Sequence, residues 1–256
     1  MAQTIGSMAT RGRNLRLRNY TLGPPFETYG PNVRVIAILL VLALLFCWLA
    51  FAVARDLRDP TAWFVFYALT AAFAGIVWWH LVSRVWLHEL GISYRGILGY
   101  GEIRWLELER FYFGSYEIHA QHIPLGTFYR LKLITTHGQK VSLGERVRHA
   151  DELAERIAKF SFEPLMQKAL QTFNSGGVVD FGAILVSRSD GVTIVKLLSD
   201  TKIPWQEIEG YDTLSSHVSF HRFHKRFACR VASERVANLT VLRALLDGVM
   251  YHVWQR

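Results

Sequence analysis

A seven-residue phrase that occurs twice limits the architecture of this chain more than any other feature. The first copy is IRWLELE at 103–109, and the second is IPWQEIE at 203–209. With Gly91 aligned to Gly191, the match runs without a gap over twenty-one residues. A second match pairs GERVRHADELAERIA, from Gly144, with SERVANLTVLRALLD, from Ser233. Self-similarity on this scale indicates a duplicated unit, and each copy is long enough for a small domain.

Each copy has the residue pattern of antiparallel strands followed by one helix. Apolar and polar residues alternate over short runs that are separated by turn residues such as Gly96 and Gly99. Both copies then end in a helical spacing of apolar residues, which include Leu153 and Ile157 in the first copy. The pattern predicts an α+β fold in which each copy is a β-roll or small barrel closed by its C-terminal helix.

The repeated phrase predicts a corner of the chain in each copy. Trp105 follows an isoleucine by two residues and precedes a leucine by three, so the apolar period changes from two to three. We expect Trp105 and Trp205 to fill the core at these corners, each beneath the helix of its own copy, while the glutamates face water. A catalytic carboxylate pair, Glu107 with Glu109, is the alternative, but the neighbouring sequence offers neither a water-excluding pocket nor a metal partner.

Two uncharged apolar runs precede the repeat, at Val35–Ala54 and Ala62–Ser83. About 20 apolar residues are needed for a helix to cross the hydrocarbon core of a bilayer. Tryptophans lie near the ends of the second run, where amphipathic rings prefer the membrane interface. Two such runs in tandem predict a transmembrane helical hairpin, 33–54 and 61–84. They favour it over buried core helices or, for the first run, a signal peptide.

The charge distribution predicts the orientation of this hairpin. The chain has a net charge of +8, and residues 1–85 hold eight Lys or Arg against three Asp or Glu. Most of these arginines precede the first run, whereas the link between the runs is balanced. The positive-inside rule therefore predicts a multi-pass protein of the cell (inner) membrane with both termini in the cytoplasm. An Arg-rich, acid-free start is also typical of a mitochondrial transit peptide, so an organellar membrane stays open.

The sequence thus divides into four predicted segments. A basic, flexible, cytoplasmic N-terminal segment covers 1–32, the transmembrane hairpin covers 33–85, and the two domains cover 86–163 and 164–256. The repeated G-[IV]-x-[YI] strand, glycine turn, I-x-W-x-E-[IL] phrase and final helix resemble bacterial pleckstrin-homology-like (PH-like) domains behind two-helix membrane anchors. Membrane proteins with two such tandem domains form families of uncharacterised function.

The resemblance implies a barrel-plus-helix fold and a membrane-attached binding module without enzymatic activity. Pleckstrin domains that bind inositol phosphates carry several Lys or Arg across their first hairpin. Here the corresponding hairpins are RGILGYGE and KLLSDTK, which lack that basic cluster. A phosphoinositide ligand is therefore disfavoured.

The densest polar stretch, HVSFHRFHKRFACR at 217–230, holds the candidate contact residues. If it is one strand, Arg222, His224, Arg226 and Arg230 share a face. That face either meets anionic lipid headgroups or an acidic partner, or is an ordinary solvated face with basic residues that guard a sheet edge. A metal site at the histidines would need a helix and further ligands, which the spacing does not provide.

These patterns predict no catalytic residue, cofactor or metal site, and no nucleic-acid-binding motif is present. We expect a non-enzymatic, membrane-anchored binding or scaffold protein at the cytoplasmic membrane face. Its partners would be the bilayer itself and another membrane or cytoplasmic protein, with the oligomeric state left open. The alternatives are an anionic-lipid surface sensor and an accessory subunit of a membrane transport or envelope complex.

Overall fold

The computed structural model is a mixed α+β structure in which two apolar helices near the N-terminus are followed by antiparallel sheets. The residues that the structure describes are 22–57, 60–96, 99–120, 123–144, 147–196, 199–214, 216–223, 225 and 227–254. The chain forms two compact units, Met1–Ile103 with Glu145–His149 (unit 1) and Arg104–Gly144 with Ala150–Arg256 (unit 2). The domain limits proposed from the sequence stay a prediction.

The two apolar helices of unit 1 are α1 (Val33–Leu57) and α2 (Pro60–Val82). Both are long and apolar enough to cross a membrane, and only 6% and 0% of their most apolar windows are buried inside the protein. A core helix of a soluble protein would be mostly buried, whereas here large side chains such as Leu44 and Phe64 are 70% and 74% exposed. The prediction of two apolar helices is confirmed.

Unit 1 also contains a four-stranded sheet with the strand order β1-β2-β3-β4. Its strands are β1 (Pro25–Tyr29), β2 (Arg84–His88), β3 (Gly91–Gly96) and β4 (Gly99–Arg104). The sequence predicts no strand at β1, because that segment falls within the predicted flexible 1–32. Its partner β2 follows it only after the whole helical hairpin, and Tyr29 lies opposite Val85 in the antiparallel pair. The two helices are therefore inserted between adjacent strands of one sheet.

Unit 2 begins with a three-stranded sheet of β5 (Leu108–Ala120), β6 (Ile123–Thr135) and β7 (Lys140–Ser142), followed by helix α3 (Ala150–Asn174). A second four-stranded sheet contains β8 (Val178–Asp180), β9 (Ile184–Ser187), β10 (Gly191–Ile194) and β11 (Thr201–Ile203). A second three-stranded sheet contains β12 (Ile208–Thr213), β13 (His217–Arg222) and β14 (Cys229–Ala232), and helix α4 (Leu239–Trp254) follows it. The same series of elements therefore occurs twice along the chain. We call β1–β7 with α3 the first series and β8–β14 with α4 the second series.

The repeated phrase forms the same structure in both series. Short 3-10 helices at Trp105–Glu107 and Trp205–Glu207 each join a four-stranded to a three-stranded sheet. In each, the N–H of the next residue donates back to the tryptophan carbonyl. The two tryptophans are 5% and 8% exposed. The predicted corners with buried tryptophans are thus confirmed.

The repeat also extends to residues just before each final helix. His149 and Asn238 are the non-glycine residues with a positive φ within the described part of the chain, at 56° and 50°. Each immediately precedes a helix, α3 or α4. Two residues upstream, Val147 forms a bridge with Pro31 and Val236 forms the corresponding bridge with Gly182. The matching left-handed residues and bridges extend the repeat to the backbone before each final helix.

Helix α3 contacts both tryptophans, which differs from the prediction that each lies beneath its own helix. Trp105 stacks on Phe160, with ring centroids 6.1 Å apart. Trp205 meets Phe173 edge to face at 6.4 Å, and Phe173 also belongs to α3. The reason is length: α3 has 25 residues and continues through Pro164, past the end of the predicted first domain. Its C-terminal half reaches the second series.

Candidate functional site

The predicted basic strand at 217–230 is wrong, because the chain reverses between β13 and β14. Arg230 lies opposite Ser219, whereas Arg222 has the strand parity of the fully buried Val218 and Phe220. Arg222 and Arg230 therefore belong to opposite faces of the hairpin. His224 and Arg226 lie outside the described residues. The reversal contains no Gly, Pro, Asn or Asp, which explains why the sequence pattern concealed it.

Arg222 has a structural partner rather than an open face. Its guanidinium donates to the Glu207 carboxylate at 2.7 Å, and its side chain is only 20% exposed. The hydrogen bond to Glu207 is the main cause that raises the pKa of Arg222 further above its ordinary value. The pair ties the end of β13 to the 3-10 helix that begins at Trp205. Arg230, by contrast, is exposed.

We call residues 223–228, between β13 and β14, the β13–β14 tip, and its described residues Phe223, Lys225 and Phe227 are exposed. Phe223 and Phe227 are 46% and 80% exposed, and Lys225 between them is also exposed. Large exposed aromatic side chains beside basic ones are typical of surfaces that meet membrane interfaces or protein partners. The tip is the first candidate contact surface.

A groove of about 600 Å³ within unit 2 is the second candidate. One wall is the polar face of the β5–β7 sheet, and the other comes from the second series. Its lining includes three cations and one carboxylate, from Arg130, Lys132, Arg235 and Glu234, and also Tyr112. The Lys132 ammonium lies 5.6 Å from the centre of the Tyr112 ring. The excess of positive charge suits an anionic group.

Asn238 joins the two walls of this groove. Its side-chain oxygen accepts from Phe111 N–H at 2.8 Å, and its side-chain amide donates to the Glu109 carbonyl at 2.9 Å. Its backbone N–H donates to the Phe111 carbonyl at 2.7 Å. These bonds satisfy the edge of β5 in the manner of a neighbouring strand. The sequence contains no signal for this joint, because it depends on pairing between distant segments.

Arg110 and Gly182 complete the joint. The Arg110 guanidinium lies 2.8 Å from the Asp180 carboxylate, and its pKa is raised, first by a hydrogen bond with Tyr112. Gly182 has a φ of +81°, and a Cβ there would lie 2.7 Å from the Arg235 carbonyl oxygen. Glycine is therefore required by both the backbone angle and the close approach.

Two histidines of β13 have local partners. His221 lies 2.8 Å from the Asp212 carboxylate, and His217 from Ser216 at 2.9 Å. Among the described residues, no group of three His, Cys, Asp or Glu side chains is placed to hold a metal ion. Cys47 and Cys229 are free thiols.

Two apolar helices followed by a twice-repeated series of antiparallel sheets define the class of this protein as a mixed α+β protein with candidate membrane spans. The chain belongs to a family of unknown function, DUF6585, which matches residues 8–253. The match covers the apolar helices and both series. No curated protein matches the chain.

Proposed function

We propose that the protein is a membrane-anchored binding protein with two PH-like domains, which acts at the cytoplasmic face of the cell membrane and catalyses no reaction. The observation that carries the proposal is the insertion of α1 and α2 between β1 and β2. A membrane segment inside a sheet holds the folded part directly at the bilayer surface, whereas a flexible linker would let it diffuse away.

The element series supports the PH-like assignment. Each series has four strands, a tryptophan corner, three strands and one helix. In the second series, the Tyr211 hydroxyl donates to the Asp247 carboxylate of α4, which ties the helix to β12. Leu242 and Leu246 on the same helix are 0% and 1% exposed. These contacts favour a helix that closes its sheet.

The charge pattern supports the cytoplasmic location. Arginines are concentrated before α1, and Arg84 lies two positions after the end of α2. Basic residues on both flanks of a two-helix hairpin favour an orientation with both flanks on the inner side. The partner in this proposal is another membrane or cytoplasmic protein, and the positively charged groove of unit 2 favours an acidic segment of that partner.

Membrane fractionation with protease protection tests the proposal. Membranes that contain the full-length protein are washed with alkaline carbonate, and intact spheroplasts are treated with external protease. We expect the protein to stay in the membrane pellet, and its C-terminal part to be cut only after lysis. Release by carbonate would contradict the anchor, and cleavage of the C-terminal part in intact cells would contradict the orientation.

A second candidate function, contact of the β13–β14 tip with anionic lipid, is favoured by the exposure of Phe227 and Phe223. An environment-sensitive dye at F227C, in a full-length protein whose native cysteines are replaced, reports such contact in reconstituted vesicles. We expect a blue shift that grows with anionic lipid content and shrinks with salt. A dye at L214C, on the exposed Leu214 at the opposite end of β13, is the matched control. Equal spectra at both positions would exclude lipid contact by the tip.

A further inference from the structure

Four arginines surround the junction between the helical hairpin and the sheet of unit 1. Arg34 lies in the first turn of α1, and Arg84 is the first residue of β2, two positions after α2 ends. Arg95 lies near the end of β3, and Arg148 lies in the returning segment of unit 1. All four are exposed. We call these four residues the arginine collar.

Strand register and hydrogen bonds place the collar at one end of the sheet. Arg84 and Arg95 are directly opposite each other in the β2–β3 pair. The backbone N–H of Arg148 donates to the Gly30 carbonyl at 3.0 Å, and Gly30 lies between β1 and α1. The Asn32 side chain accepts from the N–H of Arg34 at 3.2 Å. This end of the sheet is also where both helices begin or end.

The collar concentrates positive charge that no acidic side chain among the described residues pairs with. Like charges directly opposite each other on neighbouring strands are destabilising. Within the described residues, none of the four guanidinium groups forms an ion pair with an acidic side chain. The Glu27 carboxylate of β1 accepts a hydrogen bond from Tyr29. An anion from outside the chain is therefore the natural counter-charge.

We infer that the arginine collar binds the anionic headgroups of phospholipids in the leaflet where α1 begins and α2 ends. This inference rests on the proposed function, because it requires the helices to span a bilayer. Guanidinium groups bind phosphate oxygens in a bidentate manner, and they are more weakly hydrated than ammonium groups. The headgroup phosphates of that leaflet lie at the depth at which transmembrane helices end.

The connections make the collar a pre-arranged site. Only Ser83 separates α2 from β2, and its hydroxyl donates to the Trp79 carbonyl at 2.8 Å. Only Gly30, Pro31 and Asn32 separate β1 from α1. These short links hold the sheet end close to the ends of the helices, so bound lipid would keep the sheet in one orientation on the membrane.

Lipid retention by the full-length protein tests the inference. The protein is reconstituted into nanodiscs of phosphatidylcholine with a minority of phosphatidylglycerol, extracted in a neutral detergent, and its bound lipid is quantified. We expect selective retention of phosphatidylglycerol by the unmodified protein. In R84Q/R95Q, we expect the ratio of retained phosphatidylglycerol to phosphatidylcholine to fall by roughly tenfold. A matched control, R104Q/R188Q, changes two exposed arginines outside the collar and should retain the unmodified ratio.

The variants also separate the alternative outcomes. R84K/R95K keeps the charge and should restore most of the retention, whereas a purely structural defect would not respond to charge. If R84Q/R95Q does not fold, R34Q/R148Q removes the other half of the collar and should show the same loss. Unchanged retention in a folded glutamine variant overturns the inference and leaves the anchor intact. Failure to enter nanodiscs, together with release by carbonate, overturns the proposed function and the inference with it.

Discussion

The two series share one order of elements and differ in what is inserted into it. In the first series, the link between β1 and β2 contains the whole helical hairpin; in the second, the link between β8 and β9 is the three residues 181–183. The strand orders β1-β2-β3-β4 and β8-β9-β10-β11 are nevertheless the same. The ends of adjacent antiparallel strands lie close together, so a helical hairpin whose ends also lie close together fits there without disturbing the sheet.

A second difference lies at the end of the middle strand of each three-stranded sheet. Thr135 lies opposite Leu108, and Arg222 lies opposite Ile208 at the matching position. The next N–H in each series donates to the glutamate carbonyl of the repeated phrase, at 2.8 Å and 3.0 Å. The first series then makes a tight turn that Gln139 closes onto Thr135. The second series has the longer β13–β14 tip at this place. The two copies therefore share their order of strands and helix, and they differ in the connection that follows this strand.

Of the substitutions that test this comparison, removal of either corner tryptophan should reduce the stability of the protein most. Trp105→Ala and Trp205→Ala should each destabilise the protein by about 3–5 kcal/mol, as expected for a buried tryptophan. Both rings contact α3, so each variant should lower the midpoint of the same cooperative transition in denaturant unfolding of the detergent-solubilised protein. Two separate transitions, with only one affected by each variant, would show that α3 does not couple the copies.

Asn238 and His149 occupy matching left-handed positions, but only Asn238 bonds to β5 through its side chain. Asn238→Ala leaves the Phe111 N–H and the Glu109 carbonyl without their side-chain partner. It also puts alanine, which tolerates a positive φ less well than asparagine, at a φ of 50°, so it should cost about 2–3 kcal/mol. His149→Asn is the matched control, and it should be neutral or slightly stabilising because Asn tolerates this conformation well. Thermal unfolding checks both. If both variants lost the same stability, the backbone angle at these positions would determine the loss, and the hydrogen bonds of Asn238 to β5 would not.

Glu207 and Glu107 have the same place in the repeated phrase, and the sequence predicts that truncating either is nearly silent. The structure changes this expectation for one of them. Glu207→Ala leaves the mostly buried Arg222 without its carboxylate and should cost about 1 kcal/mol, whereas Glu107→Ala should stay within about 0.5 kcal/mol. Adding Arg222→Gln to Glu207→Ala should produce little further loss if the pair is the cause.

Tyr211 and Phe111 are at matching positions, but only Tyr211 can ionise. We therefore expect Tyr211 to give the stability of the protein a small dependence on pH. Burial, assisted by the hydrogen bond to Asp247, raises the pKa of Tyr211 above its ordinary value. An unfolded tyrosine ionises near pH 10, so stability from this group is present below about pH 10 and is lost as pH rises above it. Tyr211→Phe should therefore lose less stability than the unmodified protein between about pH 9.5 and 11. Parallel stability curves over that range would contradict the shift.

Most of the correct predictions from the sequence came from the local periodicity of apolar residues. The apolar runs, the two tryptophan corners and the helices after each three-stranded sheet depend on residues within about four positions of each other. Strand β1 was missed because it is five residues long and its partner follows a hairpin of two helices. Within the apolar run 178–187, a glycine with a positive φ, Gly182, lies between β8 and β9. The reversal between β13 and β14 was missed because residues 223–228 contain no turn residue to interrupt the pattern.

The candidate site was less accessible to sequence reasoning for the same physical reason. Arg222 looked like a surface cation because its partner, Glu207, is on another element. The groove and the Asn238 joint depend on contacts over more than a hundred residues. Charge composition predicted a basic surface, but only the strand register shows which cations are exposed.

The insertion of a membrane hairpin into a sheet is best tested by one disulfide measurement in intact cells. Thr28 and Trp86 are opposite residues of β1 and β2. In a full-length protein with Cys47 and Cys229 replaced, T28C/W86C is combined with a protease site between α1 and α2. The intact spheroplasts are first treated with a membrane-permeant thiol oxidant, because the cytoplasm keeps thiols reduced. We predict that external protease cuts intact spheroplasts at this site and that the two fragments stay joined until the disulfide is reduced. Fragments that separate without reductant, or a site that external protease does not reach, would contradict the account.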